Sequence, residues 1–177
     1  MTITLVIDTA SSRTIVGLLD GEKVLFESFA DGATDHGRAV SDLVAQALIG
    51  NPAPDQVVVG MGPGPFTGLR VGIAFARTFA LAREIPVIGV CSLDAIEIDK
   101  SDYTVAIDAR RKEIYWARYI DGERVEGPSV NKPDEVKDFI IGLYPSVKKL
   151  VALSAVQQES EPFYLRRPDA VPTAERT

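Results

Sequence analysis

The apolar positions of this chain follow two different periods, and the switch between them marks out its elements. Thr2 to Asp8 is an apolar, β-branched run closed by the polar turn Thr9-Ala10-Ser11-Ser12-Arg13. A second strand is predicted from Thr14 to Leu19, and Asp20-Gly21 is a strong hairpin signal ahead of a third from Lys23 to about Phe29. The period then changes. Val40, Leu43, Val44, Ala47 and Leu48 stand at i, i+3, i+4, i+7 and i+8, which predicts a helix starting near Arg38 and stopped by Gly50, Asn51 and Pro52. The run Val57 to Val59 reads as a buried strand, Gly60 to Pro65 as a break, and Thr67 to Arg83 as a long helix with Thr67 as its N-cap. A short strand, Val87 to Val90, follows Pro86.

The same order begins again after residue 100. Ile107-Asp108 stands 100 positions after Ile7-Asp8, and Asp121-Gly122-Glu123-Arg124-Val125 repeats Asp20-Gly21-Glu22-Lys23-Val24. A repeat fixes architecture better than local propensity does. The pattern then predicts a helix from Pro133 to Leu143, with Val136, Phe139, Ile140 and Leu143 on one face, and a strand from Leu150 to Leu153. It stops where the first copy has its glycine-rich turn and long helix. The expected fold is therefore α/β, in two βββαβ(α) halves of which the second is reduced. The first spans residues 1–98 and the second residues 99–177, ending in an extended tail anchored by Phe163, Tyr164 and Leu165.

Composition narrows the function. A net charge of −6, from 19 basic and 25 acidic residues, argues against a chain whose main task is to grip nucleic acid by its phosphates. The local clusters Arg110-Arg111-Lys112 and Arg166-Arg167 read as solvated faces. One histidine, His36, and one cysteine, Cys91, cannot furnish a metal site of the common kind or a disulfide. No apolar run reaches the roughly 20 residues of a membrane helix, and the start lacks a signal peptide, so a cytoplasmic location is expected.

Two stretches carry candidate chemistry. Asp8, Thr9 and Ser11, with Asp108 in the second copy, could hold a hydrated Mg²⁺ and a phosphate, or could cap their own turns. The second turn, Ala109-Arg110-Arg111-Lys112, has no glycine to admit a phosphate close to the backbone. The loop Gly62-Pro63-Gly64-Pro65-Phe66-Thr67-Gly68 loses two amide donors to proline and lacks the lysine of a Walker turn, so it reads as a stiff support. The helix after it is rich in small residues, and Gly72 marks a close approach by another backbone. It is apolar on more than one side. Both packing on the chain's own sheet and docking to a partner fit that pattern.

The segments LVIDTASSRTIVGLL, GMGPGPFTGLRVGIAFARTFA, PVIGVCSLDAI, AIDARRKEIYWARY and PFYLRRPDA together resemble the TsaB (YeaZ) family of tRNA threonylcarbamoyladenosine biosynthesis. The resemblance covers most of the chain. It implies a duplicated actin-like ATPase (ribonuclease H-like) fold and a non-catalytic role beside TsaD, which transfers threonylcarbamoyl to the adenosine next to the anticodon, with the small ATPase TsaE joining the pair. It implies no cofactor of the chain's own, with ATP or ADP and metal on TsaD and TsaE, and tRNA met only through the complex. A homodimer is expected for the isolated protein. The first two helices would form the interface, through Val40, Leu43, Val44, Ala47, Phe66, Leu69, Gly72, Ile73, Ala76 and Arg77, while Asp8, Thr9, Ser11 and Asp108 would be a vestigial nucleotide site. An ATP-dependent phosphotransferase using Asp8 and Asp108 is the alternative; a metallopeptidase is a third reading that the single histidine disfavours. The spans Asp94 to Asp102 and Val156 to Glu161 are shorter than the family pattern.

Overall fold

The computed structural model describes residues 1–32 and 35–166. Arg167 and the end of the predicted tail lie outside the described residues. Strands β1 (Ile3–Asp8), β2 (Arg13–Asp20) and β3 (Lys23–Asp31) form the first meander, followed by helix α1 (His36–Leu48), β4 (Gln56–Gly60), α2 (Phe66–Arg83) and β5 (Val87–Val90). The first sheet has the order β3-β2-β1-β4-β5, with β1, β4 and β5 parallel. Alternation along its strands sends Leu5, Ile7, Val16, Leu18, Val57 and Val59 to one face, where α1 and α2 cover them. Val6, Ile15, Leu19 and Val58 face the other side.

The second meander is β6 (Asp102–Asp108), β7 (Ile114–Ile120) and β8 (Glu123–Asn131), and β9 (Phe139–Ile141) completes a sheet of order β8-β7-β6-β9. β9 runs parallel to β6, as β4 does to β1, so the duplication is structural as well as sequential. Its inner face, Val105, Ile107, Tyr115, Ala117 and Tyr119, packs on Cys91, Leu93, Ile96, Phe163 and Leu165.

The structure corrects the predicted elements of the second half. Pro133 to Leu143 is not a helix: one 3-10 turn, Pro133–Glu135, precedes β9. Asp138 and Gly142 have φ of 50° and 90°, left-handed values that interrupt any α-helix there. Leu150 to Leu153 is not a strand but the end of helix α3 (Val147–Leu153), which Ser146 caps by accepting a hydrogen bond from the Lys149 amide. α3 belongs in sequence to the second half yet packs Val147 and Leu150 against β1, β2 and β4 of the first sheet. The two halves are thereby tied together. Phe163 adds a second tie, donating its amide to the Met61 carbonyl and touching the cores of both sheets.

Candidate functional site

The Asp8 turn is filled by the protein itself. Asp8, Thr9 and Ala10 are at most 1% exposed and Ser11 is buried. The Asp8 carboxylate accepts from the Ala10 amide at 2.9 Å and from the Ser92 hydroxyl at 2.6 Å, and Ser92 in turn accepts from the Gly62 amide at 3.1 Å. Burial pushes the Asp8 carboxyl above its ordinary range, opposed by those two hydrogen bonds. Thr9 donates its hydroxyl to the Gly68 carbonyl at 2.7 Å, and Ser11 accepts from the Arg13 amide. Gly64 lies so close to Ala10 that a Cβ there would sit 2.2 Å from the Ala10 carbonyl oxygen. The Gly62 to Pro65 loop is thus a lid of fixed backbone over the turn. A nucleotide phosphate or its metal ion does not fit these residues, because no face of Asp8 or Thr9 is left to meet it.

The same contacts explain two other features. Gly72 is glycine because a Cβ would stand 2.2 Å from Thr9 Oγ1; the close neighbour is this chain's own turn. Thr67 is not the N-cap of α2. The helix begins at Phe66 with Pro65 at the cap, and Thr67 is exposed in its first turn.

Most residues predicted for the partner interface lie instead in the core. Val40, Leu43, Val44 and Ala47 on α1, with Leu69, Gly72, Ile73 and Ala76 on α2, are buried between these helices and the first sheet. Their periodicity marks the inward face. Phe66 and Arg77 are engaged by the chain's own tail: Phe66 packs on Tyr164 at 5.0 Å between centroids, and Arg77 donates to the Ser160 carbonyl at 3.1 Å. The outward surface of the helix pair holds Ala45, Ala74, Thr78 and Ala82, all exposed, with Ile49 at 76% and Leu81 at 80%. Beside them Val71, Phe75 and Phe79 form a half-buried stripe, in which the two phenyl rings stack at 6.1 Å. Val71 Cγ1 comes to 4.0 Å of where a Gly37 Cβ would be, so the two helices nearly meet there. Small exposed residues flanking a shallow aromatic stripe allow another helix to approach closely.

His36, which composition left without a role, opens α1 and is 4% exposed, with Nδ1 at 2.7 Å from the Thr14 hydroxyl. Burial, and then the positive charge of Arg110, push its pKa below the ordinary 6.5. A histidine held neutral stabilises the fold above its unfolded value and loses that contribution as pH falls below about 6.5. Asp8, shifted upward, acts in the opposite sense. Melting temperatures at about pH 7.5 and about pH 5.5 should therefore fall more steeply in the wild type than in His36→Gln; equal slopes would remove His36 from the account.

The second turn is built quite differently from the first. Asp108 is exposed and accepts from the Arg110 amide at 2.9 Å. Arg110, Arg111 and Lys112 have φ of 60°, 54° and 62°, three successive left-handed residues, none of them glycine. Each such residue costs about 1–2 kcal/mol relative to the right-handed form. Arg166 clamps the turn, donating to the Ala109 carbonyl at 3.0 Å and pairing with Glu113. The Asp94 side chain is only 6% exposed and accepts from Tyr119 Oη and Gln157 Nε2, both at 2.7 Å, beside Arg124 at 3.7 Å. This network joins the first linker, the second sheet and the tail. Cys91 next to it is buried, its thiol pushed up to about 12 mainly by burial, so it is an inert core residue. Among the described residues no cluster of three or more His, Cys, Asp or Glu side chains could hold a metal ion, and no helix is long and apolar enough to cross a membrane.

Comparison with known proteins now gives these features a context. An uncharacterized Mycobacterium leprae protein is 41% identical over 97% of this chain and 57% of its own length. The tRNA threonylcarbamoyladenosine biosynthesis protein TsaB of Escherichia coli is 34% identical over 61% of this chain and 47% of its own. The alignments thus cover only about half of each of these two relatives, whereas an uncharacterized Mycobacterium tuberculosis protein, 39% identical over 96% of this chain, is covered to 94% of its length. The M. leprae alignment runs over 204 positions, 27 more than the 177 residues here, so the relative carries segments that this chain lacks. Two solved Pseudomonas aeruginosa structures share the fold: one similar to YeaZ, at TM-score 0.79 and 24% identity over 94% of this chain and all of that one, and YeaZ itself, at 0.70 and 23% over 88% and 91%. The family model for TsaD, tRNA N6-adenosine threonylcarbamoyltransferase, matches residues 33–170. This chain belongs to that family, and within it is similar to TsaB proteins.

Proposed function

We propose that the chain is a non-catalytic scaffold subunit of a cytoplasmic tRNA-modifying assembly. In it the chain pairs through the outward faces of α1 and α2 with a TsaD-type subunit, which a TsaE-type ATPase joins, for threonylcarbamoyl transfer to the adenosine 3′ of the anticodon. One observation carries this reading: the turn that would receive phosphates is sealed beneath the Gly62 to Pro65 loop, while the outer surface of the helices beside it presents the small or apolar Ala45, Ala74, Thr78, Leu81 and Ala82 among polar residues such as Arg38, Asp42 and Arg70. Nucleotide and metal chemistry then belong to the partners. In the isolated protein the same surface pairs with a second copy.

Co-expression with the TsaD-type subunit of the same cell tests it. The wild type is expected to co-elute as a complex. Ala74→Glu and Thr78→Arg, at exposed positions, should weaken pairing by about a hundredfold or more by placing charge in a desolvated interface, with melting temperature little changed. No wild-type complex, or a complex indifferent to both substitutions, would overturn the reading.

A further inference from the structure

The β6–β7 turn has features that a mere connection does not need. Hairpin turns with left-handed residues ordinarily use Gly, Asn or Asp, which adopt that conformation at little cost. Here the three positions are Arg110, Arg111 and Lys112, all exposed. The side chains are therefore not the ones the backbone would select. The turn is also fixed in place: Ala109 donates its amide to the Glu113 carbonyl at 2.9 Å, Asp108 holds the Arg110 amide, and Arg166 holds the Ala109 carbonyl while pairing with Glu113. The two acidic neighbours, Asp108 and Glu113, are both engaged in these contacts. Arg110, Arg111, Lys112 and Arg166 stand together here, a basic knuckle on a chain whose net charge is −6.

We infer that this turn is a contact for the RNA phosphodiester backbone, resting on the tRNA-modification reading above. Guanidinium forks match phosphate oxygens in pairs, and an outward-pointing rigid turn suits an extended polyanion passing over it. A free nucleotide suits it less well. The adjoining cavity, bounded by Ser12, Pro65, Ile107, Asp108, Arg110 and Tyr144 among others, holds only about 100 Å³, below the several hundred a small-molecule site requires.

The test is a triple variant, Arg110→Asn, Arg111→Gly and Lys112→Asn, which removes the charge with residues that favour the observed backbone. Binding of a fluorescein-labelled RNA stem–loop is measured by anisotropy at about 50 and about 200 mM salt, for the chain alone and co-purified with the TsaD-type subunit. The wild type is expected to bind with steep salt dependence. The variant should bind at least about tenfold more weakly, with a salt slope flatter by about 2 to 3, and should melt at the same or a higher temperature. Excess ATP should not compete. Equal affinities, absence of RNA binding by the wild type in both preparations, or displacement of the RNA by ATP would each overturn the inference. Failure of the subunit reading is seen separately, as failure to co-purify, and leaves the chain-alone comparison to decide.

Discussion

Gly60→Ala is expected to lose about 3–5 kcal/mol of stability and to lower the melting temperature by about 10 °C or more. A Cβ at this position would lie 1.8 Å from Asp8 Oδ2 and 2.6 Å from Ser92 Oγ, and neither group has room to withdraw. Asp8 is fully buried, and moving it breaks its hydrogen bonds to Ser92 and the Ala10 amide. Polar atoms left unpaired in the interior cost about 1–3 kcal/mol each. Gly37→Ala is the control: its nearest neighbour is 4.0 Å away and its φ is ordinary, so the substitution should be neutral or stabilising by up to about 1 kcal/mol. Thermal unfolding followed by circular dichroism measures both. If Asp8 is the obstacle, adding Asp8→Ala should recover part of what Gly60→Ala loses; purely additive effects would show that the two sites are not in contact.

This packing was only partly legible in the sequence. The meanders were readable because strand alternation and the two Asp-Gly turns are local signals, and their recurrence exposed the duplication. What the sequence could not convey was closure. Asp8-Thr9-Ala10-Ser11 reads equally as a phosphate turn or a capped turn, and the decision rests on Gly60, Gly64 and Ser92, residues distant in sequence that converge on it. Short apolar runs also misled. Val136, Phe139, Ile140 and Leu143 satisfy a helical wheel, but Phe139–Ile141 pairs with Thr104–Ala106 as a strand. Ser146 ahead of Val147, Leu150 and Val151, at i, i+3 and i+4, is a cap followed by an apolar face, a signal that could have identified α3.

Val44→Glu is expected to leave the protein largely unfolded, whereas Ala45→Glu should keep the fold and lose the partner. The two positions are adjacent in α1 and differ in where the helix turns them. Val44 is 3% exposed and belongs to the core beneath the helices, among Val40, Leu43, Ala47 and Ile73. Replacing it forfeits about 1.5–3 kcal/mol of apolar burial and forces a carboxyl group into a site without hydrogen-bond partners, a further penalty of several kcal/mol. The sum is comparable to the whole stability of an ordinary domain. Ala45 is exposed, so glutamate there costs a few tenths of a kcal/mol in helix propensity. Helical periodicity makes Val40, Leu43, Val44 and Ala47 the visible face in sequence, but an apolar stripe marks what a helix buries without naming what buries it. Their own sheet does so here, and in the proposed assembly docking falls to the less apolar residues behind them. Circular dichroism of both variants, with gel filtration against the TsaD-type subunit, separates the two effects. A folded Val44→Glu that merely fails to pair would return those residues to the interface; an Ala45→Glu that pairs normally would remove the outward face of α1 from it.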